Sequence, residues 1–193
     1  VTVNGVSGVG TIGVNLLDNN SIRDIGGSGL VGNGSGKFQA AQNLTTGQLL
    51  PTFVMGQDLN GDGHLDLAFA NTNSNTMSVL LGNGNGTFQT GQSFATGTSP
   101  VSLAAGDLNG DSIPDIAVVN VNSTLGNVLI GNGNGTFQPA QNFSIGSQPT
   151  SIAVVDVNSD GRLDLAVTNR TGNSVSVFLG NGNGTFQAPQ NFA

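Results

Sequence analysis

The chain has 193 residues, of which 36% are hydrophobic and only 8% are charged, and its formal net charge is −7. The four basic residues form no stripe, which argues against a nucleic-acid partner, and no apolar run reaches the ~18 residues of a membrane span. Cysteine is absent, which excludes a disulfide framework. The chain starts without methionine or a signal-peptide pattern, so we expect a mature or excised product.

An internal repeat organises the chain. The segment Gly-Asn-Gly-Asn-Gly-Thr-Phe-Gln starts at Gly82 and recurs 49 residues apart at Gly131 and Gly180, and a more distant copy starts at Gly32. Repetition at this period is typical of stacked structural units. The sequence therefore predicts a divergent first unit with the N-terminal segment at 1–46, followed by units at 47–96, 97–145 and 146–193.

Each unit has the pattern of four short strands. In the third unit we predict strands over 101–105, 116–119 and 127–130, and a fourth strand from Thr136 to about Phe143. Gly and Asn between these runs supply the positive φ that tight turns need, and no segment has helical periodicity. The predicted fold is all-β, a β-propeller-like array of four four-stranded antiparallel blades in one structural domain, with the first blade divergent.

The acidic residues are concentrated in three copies of the pattern D-x-N-x-D-x-x-x-D, which hold nine of the eleven carboxylates. Such a density of carboxylate and amide oxygens suits Ca²⁺, and it predicts about three bound calcium ions. The backbone carbonyl is the expected ligand at the seventh position, by analogy with the EF-hand order. The predicted ligands are Asp58, Asn60, Asp62, His64 and Asp66; Asp107, Asn109, Asp111, Ile113 and Asp115; and Asp156, Asn158, Asp160, Arg162 and Asp164.

The sixth position of each loop needs a sharp turn, which Gly63 and Gly161 can make. Ser112 occupies this position in the second loop, and Pro114 precedes the last ligand. We therefore predict a weaker or more strained second site. The first unit has no acidic loop, because counting back 50 residues from Asp58 reaches a segment without carboxylates.

Several alternative interpretations compete with calcium binding. The acidic segments can be surface turns without an ion, since Asp and Asn favour turns. An EF-hand is a poor interpretation, because no helices flank the loops. The Gly-Asn-Gly-Asn-Gly segments are similar to phosphate-binding loops, but a strand pattern follows them, so we expect hairpin turns. The repeated Phe88, Phe137 and Phe186 are expected to pack between blades.

The acidic loop, the following Leu-Asp-Leu-Ala-Val-type strand and the terminal Gly-Asn-Gly-x-Gly-x-Phe together resemble FG-GAP/VCBS repeats. These repeats form the blades of integrin-α-type propellers and of many bacterial surface proteins. The resemblance covers residues 47–193 well and 1–46 poorly. It implies calcium in the loop that joins the first two strands of a blade. Propellers of this family usually have seven blades, whereas this chain supplies four units.

The predicted function is that of a non-enzymatic, calcium-binding extracellular repeat protein used in surface adhesion or recognition, with a cell-surface protein or glycan as a possible partner. Millimolar extracellular calcium suits sites of this kind. The alternative is a structural subunit of a fibre or larger assembly, in which chains share strands or blades. An enzyme is disfavoured, because one His and no Glu, Cys or Tyr leave few general acids and bases.

Overall fold

The computed structural model describes Leu44 and residues 48–146 and 148–193. These residues form three four-stranded antiparallel sheets and no helix, which confirms the all-β prediction. The chain divides into two compact units, 1–44 and 45–193, and the three sheets belong to the second. The divergent blade predicted at 1–46 lies, apart from Leu44, outside the described residues.

The three sheets share one topology, in which strands follow each other in chain order and each pairs with the next. Sheet A contains β1 (Pro51–Gln57), β2 (Asp66–Asn71), β3 (Thr76–Leu80) and β4 (Gln92–Ala95). Sheet B contains β5 (Pro100–Gly106), β6 (Asp115–Asn120), β7 (Leu125–Leu129) and β8 (Gln141–Ser144). Sheet C contains β9 (Pro149–Val155), β10 (Asp164–Asn169), β11 (Ser174–Phe178) and β12 (Gln190–Phe192).

The fourth strand of sheet B is shorter than the sequence predicts. The expectation that it starts at Thr136 is wrong, because β8 begins at Gln141. Phe137 makes only an isolated bridge to Gly131, and the N–H of Gln138 donates to the carbonyl of Ile130 at 2.8 Å. Pro139 and Ala140 then lie outside the ladder, and the equivalent residues Thr90 and Gly91 lie outside it in sheet A.

Two apolar clusters hold the sheets against one another. The first lies between sheets A and B, where Ala68, Met77 and Val79 pack with Ile116 and Val118. The second lies between sheets B and C and has the same construction. Successive side chains of a strand point to opposite faces of the sheet. Sheet B therefore packs the side chains of one face against sheet A and those of the other face against sheet C. One of the two inner strands of sheet B, β6, is accordingly buried along its whole length.

Phenylalanine side chains extend both clusters towards the outer strands. The ring of Phe94 in β4 meets that of Phe137 edge-on, with centroids 5.2 Å apart. Phe143 in β8 makes an edge-on contact with Phe178 at 5.4 Å and a tilted contact with Phe186 at 5.7 Å. Phe137 and Phe186 therefore pack between sheets, as the sequence predicted.

A polar ladder crosses the centre of each sheet. In sheet B, the Oδ1 of Asn127 accepts from the Nδ2 of Asn120 at 2.8 Å, and its Nδ2 donates to the Oδ1 of Asn142 at 2.7 Å. The same Oδ1 accepts from the N–H of Gly97 at 2.7 Å, which ties the chain leaving sheet A to sheet B. Sheets A and C carry the equivalent ladders with Ser78 and Ser176 at the central position.

Candidate calcium loops

The three acidic segments occupy the same place in each sheet. Each joins the first strand to the second: the loop that starts at Asp58 lies between β1 and β2, and the loops that start at Asp107 and Asp156 lie between β5 and β6 and between β9 and β10. The ninth residue of the pattern is the first residue of the second strand. The loops are therefore held at both ends by paired strands.

The first carboxylate of each loop organises the turn around itself. Oδ1 of Asp58 accepts from the N–H of Gly61 at 2.8 Å, and Oδ2 accepts from the N–H of Gly63 at 2.9 Å. The same two bonds recur at Asp107 and at Asp156, with lengths of 2.7 to 2.9 Å. The loop thus wraps its N–H groups around one carboxylate in all three repeats.

The third and fifth positions form a second set of repeated bonds. The amide oxygen of Asn60 accepts from the N–H of Asp62 at 3.0 Å, and its Nδ2 donates to Oδ2 of Asp62 at 2.9 Å. Oδ1 of Asp62 accepts from the N–H of His64 at 2.8 Å. The hydrogen bond from the backbone of His64 lowers the pKa of Asp62. Asn109 with Asp111 and Asn158 with Asp160 repeat the arrangement.

The third loop differs from the others in carrying its own cation. The guanidinium of Arg162 donates to Oδ2 of Asp160 through Nη2 at 2.6 Å and through Nε at 3.1 Å. The hydrogen bond from this side chain, followed by the one from the backbone N–H of Arg162, lowers the pKa of Asp160 to about 2. Both groups are exposed, so the pair is screened by solvent.

The seventh position has a side-chain contact that the sequence did not indicate. A Cβ added to Gly84 would come within 2.5 Å of the His64 ring, and one added to Gly182 would come within 2.9 Å of the Arg162 side chain. Ile113 is similarly placed against Gly133. The seventh side chain therefore lies against the glycine-rich turn of its own repeat, where the glycine also has a positive φ of 73° to 75°.

The ninth carboxylate is the only one of each loop that is fully buried. Oδ2 of Asp115 accepts from the N–H of Leu108 at 2.9 Å, and Oδ1 accepts from the N–H of Gly131 at 2.8 Å. Burial raises the pKa of Asp115. Asp66 and Asp164 make the equivalent bonds. The sequence placed these three among the ligands, and the structure gives them a bracing role between the loop and the glycine-rich turn; their role as ligands stays a prediction.

The turn positions explain the glycines and the two serines of the loops. Gly63 at the sixth position has a φ of 82°, and Ser112 adopts the same left-handed conformation with a φ of 67°. At the fourth position, Ser159 of the third loop has a φ of 61°, where the other loops use glycine. A side chain in this region is strained. The sequence anticipated the strain at Ser112 but missed the one at Ser159.

The donor set of each loop fits calcium in its chemistry, since it combines carboxylate, amide and carbonyl oxygens. The positions of these oxygens fit an ion site less completely. Among the residues that the structure describes, no three Asp or His side chains converge closely enough to hold an ion. These side chains do not converge because the carboxylates at positions one and five accept hydrogen bonds from loop N–H groups, and the ninth carboxylate is directed into the protein. The structure thus brings the first, third and fifth side chains into one hydrogen-bonded turn, whereas the ninth is buried and bonds to backbone N–H groups.

The glycine-rich segments are tight turns. In sheet A, the N–H of Asn83 donates to the carbonyl of Thr87 at 3.0 Å, and the Thr87 hydroxyl donates to the Oδ1 of Asn85 at 2.7 Å. The same bonds recur in the two later repeats. No helix follows these turns in the described chain, so they lack the helix that a phosphate-binding loop opens.

Comparison with known proteins supports the repeat organisation. The family model for the FG-GAP-like repeat matches residues 58–118, 109–167 and 156–193. The chain belongs to the FG-GAP-like repeat family. Each match begins in an acidic loop of this FG-GAP chain, and repeats of this kind are typical of extracellular proteins. In the described part of the chain, no helix is both long and apolar enough to cross a membrane.

Solved structures that resemble the chain include two large proteins. One is an Agrocybe aegerita lectin described as recognising non-reducing terminal N-acetylglucosamine; it is 22% identical, has a TM-score of 0.48, and the match covers 72% of this chain and 37% of the lectin. The other is the Photorhabdus luminescens Tc holotoxin pore, 17% identical with a TM-score of 0.40, where the match covers 74% of this chain and 9% of the toxin chain. The chain thus spans well under two thirds of either. A comparison with curated protein sequences found no match.

Proposed function

We propose that this chain is a non-enzymatic, calcium-binding extracellular repeat protein, whose sheets are the blades of a propeller-like array that serves in surface adhesion or recognition. The observation that carries the proposal is the threefold recurrence of one loop geometry. Three loops, 49 residues apart, repeat the same hydrogen bonds around carboxylate and amide oxygens. The first and ninth carboxylates also bond to backbone N–H groups of the turn, so what favours an ion is the further, exposed carboxylate that each copy adds at the fifth position of the same loop.

The electrostatics of the loops support the same conclusion. Nine carboxylates lie in three loops of a chain with four basic residues, and one of those basic residues, Arg162, is itself paired with a loop carboxylate. Three calcium ions would bring six positive charges and leave a net charge of about −1. The binding of calcium by such exposed loops suits the millimolar concentration outside cells.

Thermal unfolding in calcium and in chelator tests this proposal. Calcium at ten times its dissociation constant stabilises the folded state by about 1.4 kcal/mol per site, so the midpoint of unfolding should rise clearly. Magnesium at the same concentration should shift it less, because it prefers a stricter geometry. An identical midpoint in calcium and in chelator would refute the calcium sites.

A matched variant separates the ions from the loops themselves. The triple variant Asp62→Asn, Asp111→Asn and Asp160→Asn removes one exposed charge from each loop. It keeps the oxygen that accepts from the seventh N–H. We expect this variant to fold in chelator and to lose most of the calcium-dependent stabilisation. If it kept the full calcium response, the ions would bind elsewhere.

A further inference from the structure

Asn–Gly bonds recur in two structural settings of this chain. Among the described residues, one lies in each of the first two acidic loops, at Asn60 and Asn109, and two lie in each glycine-rich turn. In this dipeptide the main-chain nitrogen of glycine attacks the side-chain amide most readily, because glycine has no Cβ to hinder the approach. The two settings therefore place the same reactive dipeptide in different hydrogen bonds.

The acidic loops hold the glycine nitrogen away from this reaction. The N–H of Gly110 donates to Oδ1 of Asp107 at 2.7 Å, and the first loop repeats this bond. The amide of Asn109 is itself held at its oxygen and its nitrogen by Asp111. An attack on Asn109 would have to break a charge-assisted bond, which is stronger than a neutral one. The first carboxylate of the loop therefore protects the amide two residues later.

The glycine-rich turn of sheet B holds its second asparagine differently. Oδ1 of Asn134 accepts from the N–H of Thr136 at 3.0 Å and from the Thr136 hydroxyl at 2.6 Å. The hydroxyl accepts in turn from Nδ2 of Asn132 at 2.9 Å, which leaves its hydrogen for Asn134. Two donors on one amide oxygen stabilise the negative charge that develops there during attack on the carbon. The same bonds recur at Asn85 and Asn183.

The nitrogen that follows Asn134 is not held in this way. Within the described part of the chain, the N–H of Gly135 donates to no acceptor, whereas the N–H of Gly184 in the next repeat donates to the carbonyl of Leu108 at 2.9 Å. Asn134 is exposed, and it belongs to sheet B, whose neighbouring sheets are both described. The amide is therefore open to water, and no bond to the described residues restrains the nitrogen beside it.

We propose that Asn134 is a site of spontaneous deamidation, whereas Asn109 stays intact in the folded protein. The nitrogen of Gly135 bonds to Cγ of Asn134, the bond from Cγ to Nδ2 breaks, and the proton lost by the Gly135 nitrogen leaves with Nδ2 as ammonia. Water then opens the cyclic imide and gives aspartate or isoaspartate. The net change is the addition of water and the loss of ammonia. The inference goes beyond the proposed function and does not depend on calcium.

The product alters the turn that lies beside the acidic loop. It adds a carboxylate next to Gly133, which lies against Ile113, the seventh residue of the loop. The isoaspartate form also lengthens the main chain by one carbon, inside the turn that the backbone bond from Asn132 to Thr136 closes. Each event therefore adds one negative charge, and the isoaspartate product strains the closing bond of the turn.

Mass spectrometry of the folded protein, incubated in chelator at mildly alkaline pH, tests the proposal, and fragment ions assign each mass gain to a residue. Asn134 should react at least about tenfold faster than Asn109, because attack at Asn109 must break a charge-assisted hydrogen bond. Asn183 should react at an intermediate rate. In denaturant the rates should converge, since these bonds are then absent. An intact Asn134, or equal rates at Asn134 and Asn109 in the folded protein, would overturn the proposal.

Matched variants test the two causes separately. Thr136→Val removes the hydroxyl donor and should slow the reaction at Asn134 by about threefold or more, the equivalent of one neutral hydrogen bond. Thr136→Ser keeps the hydroxyl and should keep the rate. Asp107→Asn weakens the bond to the Gly110 N–H and should accelerate the reaction at Asn109. Unfolding midpoints close to wild type show that these are rates of the folded protein. Unchanged rates in Thr136→Val and Asp107→Asn would contradict the proposal.

Discussion

The buried carboxylate of Asp115 accepts a hydrogen bond from the backbone N–H of Gly131 at 2.8 Å, across 16 residues of sequence. Its other oxygen accepts from the N–H of Leu108 within the acidic loop. One side chain therefore connects the loop between β5 and β6 to the glycine-rich turn that follows β7. The same connection exists in the other two repeats. The ninth acidic residue thus supports the framework from which the exposed loop carboxylates project.

Replacing Asp115 by alanine should strongly destabilise the protein. The substitution leaves two buried N–H donors without an acceptor, and each costs about 1–3 kcal/mol. Chemical denaturation measures the loss in the free energy of unfolding. Asp111→Ala is the control, because that carboxylate is exposed and its partners can turn to water. Equal losses in the two variants would contradict the bracing role.

The left-handed loop positions predict opposite effects of two substitutions. Gly63→Ala should lower the free energy of unfolding by about 1 kcal/mol, because a Cβ is strained at a φ of 82°. Ser112→Gly should raise it slightly, since relief of strain at a φ of 67° exceeds the entropy that glycine adds to the unfolded chain. Denaturation curves measured in chelator compare the free energies of unfolding of the two variants without a contribution from calcium. Shifts of the same sign would show that loop strain is not the cause.

The polar ladder of sheet B predicts a graded response at Asn127. Asn127→Val removes the acceptor of the Gly97 N–H and of the Asn120 amide, and we expect a loss of about 2–3 kcal/mol. Asn127→Ser should cost less, because serine occupies this position in sheets A and C. Thermal and chemical unfolding of the two variants show which substitution destabilises the protein more. The reverse order would indicate that volume, rather than hydrogen bonding, matters at this site.

The Arg162–Asp160 pair predicts a specific change of pKa. Arg162→Gln removes the main cause of the depressed pKa, so the pKa of Asp160 should rise from about 2 towards 3.8. A carboxylate whose pKa is lower in the folded than in the unfolded protein stabilises the folded state at pH values above its unfolded pKa. For Asp160, this stabilisation is lost as the pH falls through about 2. NMR titration of the carboxyl carbon measures the pKa. An unchanged value would contradict the pairing.

The same substitution predicts a change in calcium affinity, if the loops bind calcium as proposed. In wild type, the guanidinium occupies an oxygen of Asp160 that an ion would need, so the third loop should bind more weakly than the first. Arg162→Gln should strengthen binding at that loop alone. Isothermal titration calorimetry resolves the change, with His64→Gln in the first loop as control. Weaker binding after Arg162→Gln would contradict the competition.

The local features of this protein could be predicted from the sequence. The 49-residue period, the four-strand pattern of each unit and the position of the acidic loops all follow from local residue types, because hydrogen bonds within a turn join residues only two to five positions apart. The strain at Ser112 was visible for the same reason. The start of β8 was misplaced, because Thr136 and Phe137 have strand-like residue types while pairing is decided by the neighbouring strand.

Tertiary structure alone decided the roles that depend on distant neighbours. In the sequence, Asp66, Asp115 and Asp164 are equivalent to the other loop carboxylates, and only packing buries them against a turn 16 residues away. In the same way, Leu59, Leu108 and Val157 occupy equivalent positions in the repeat, yet only the first two are covered. Local pattern determines which face of a strand is apolar, and contact with the next sheet determines whether that face is removed from water.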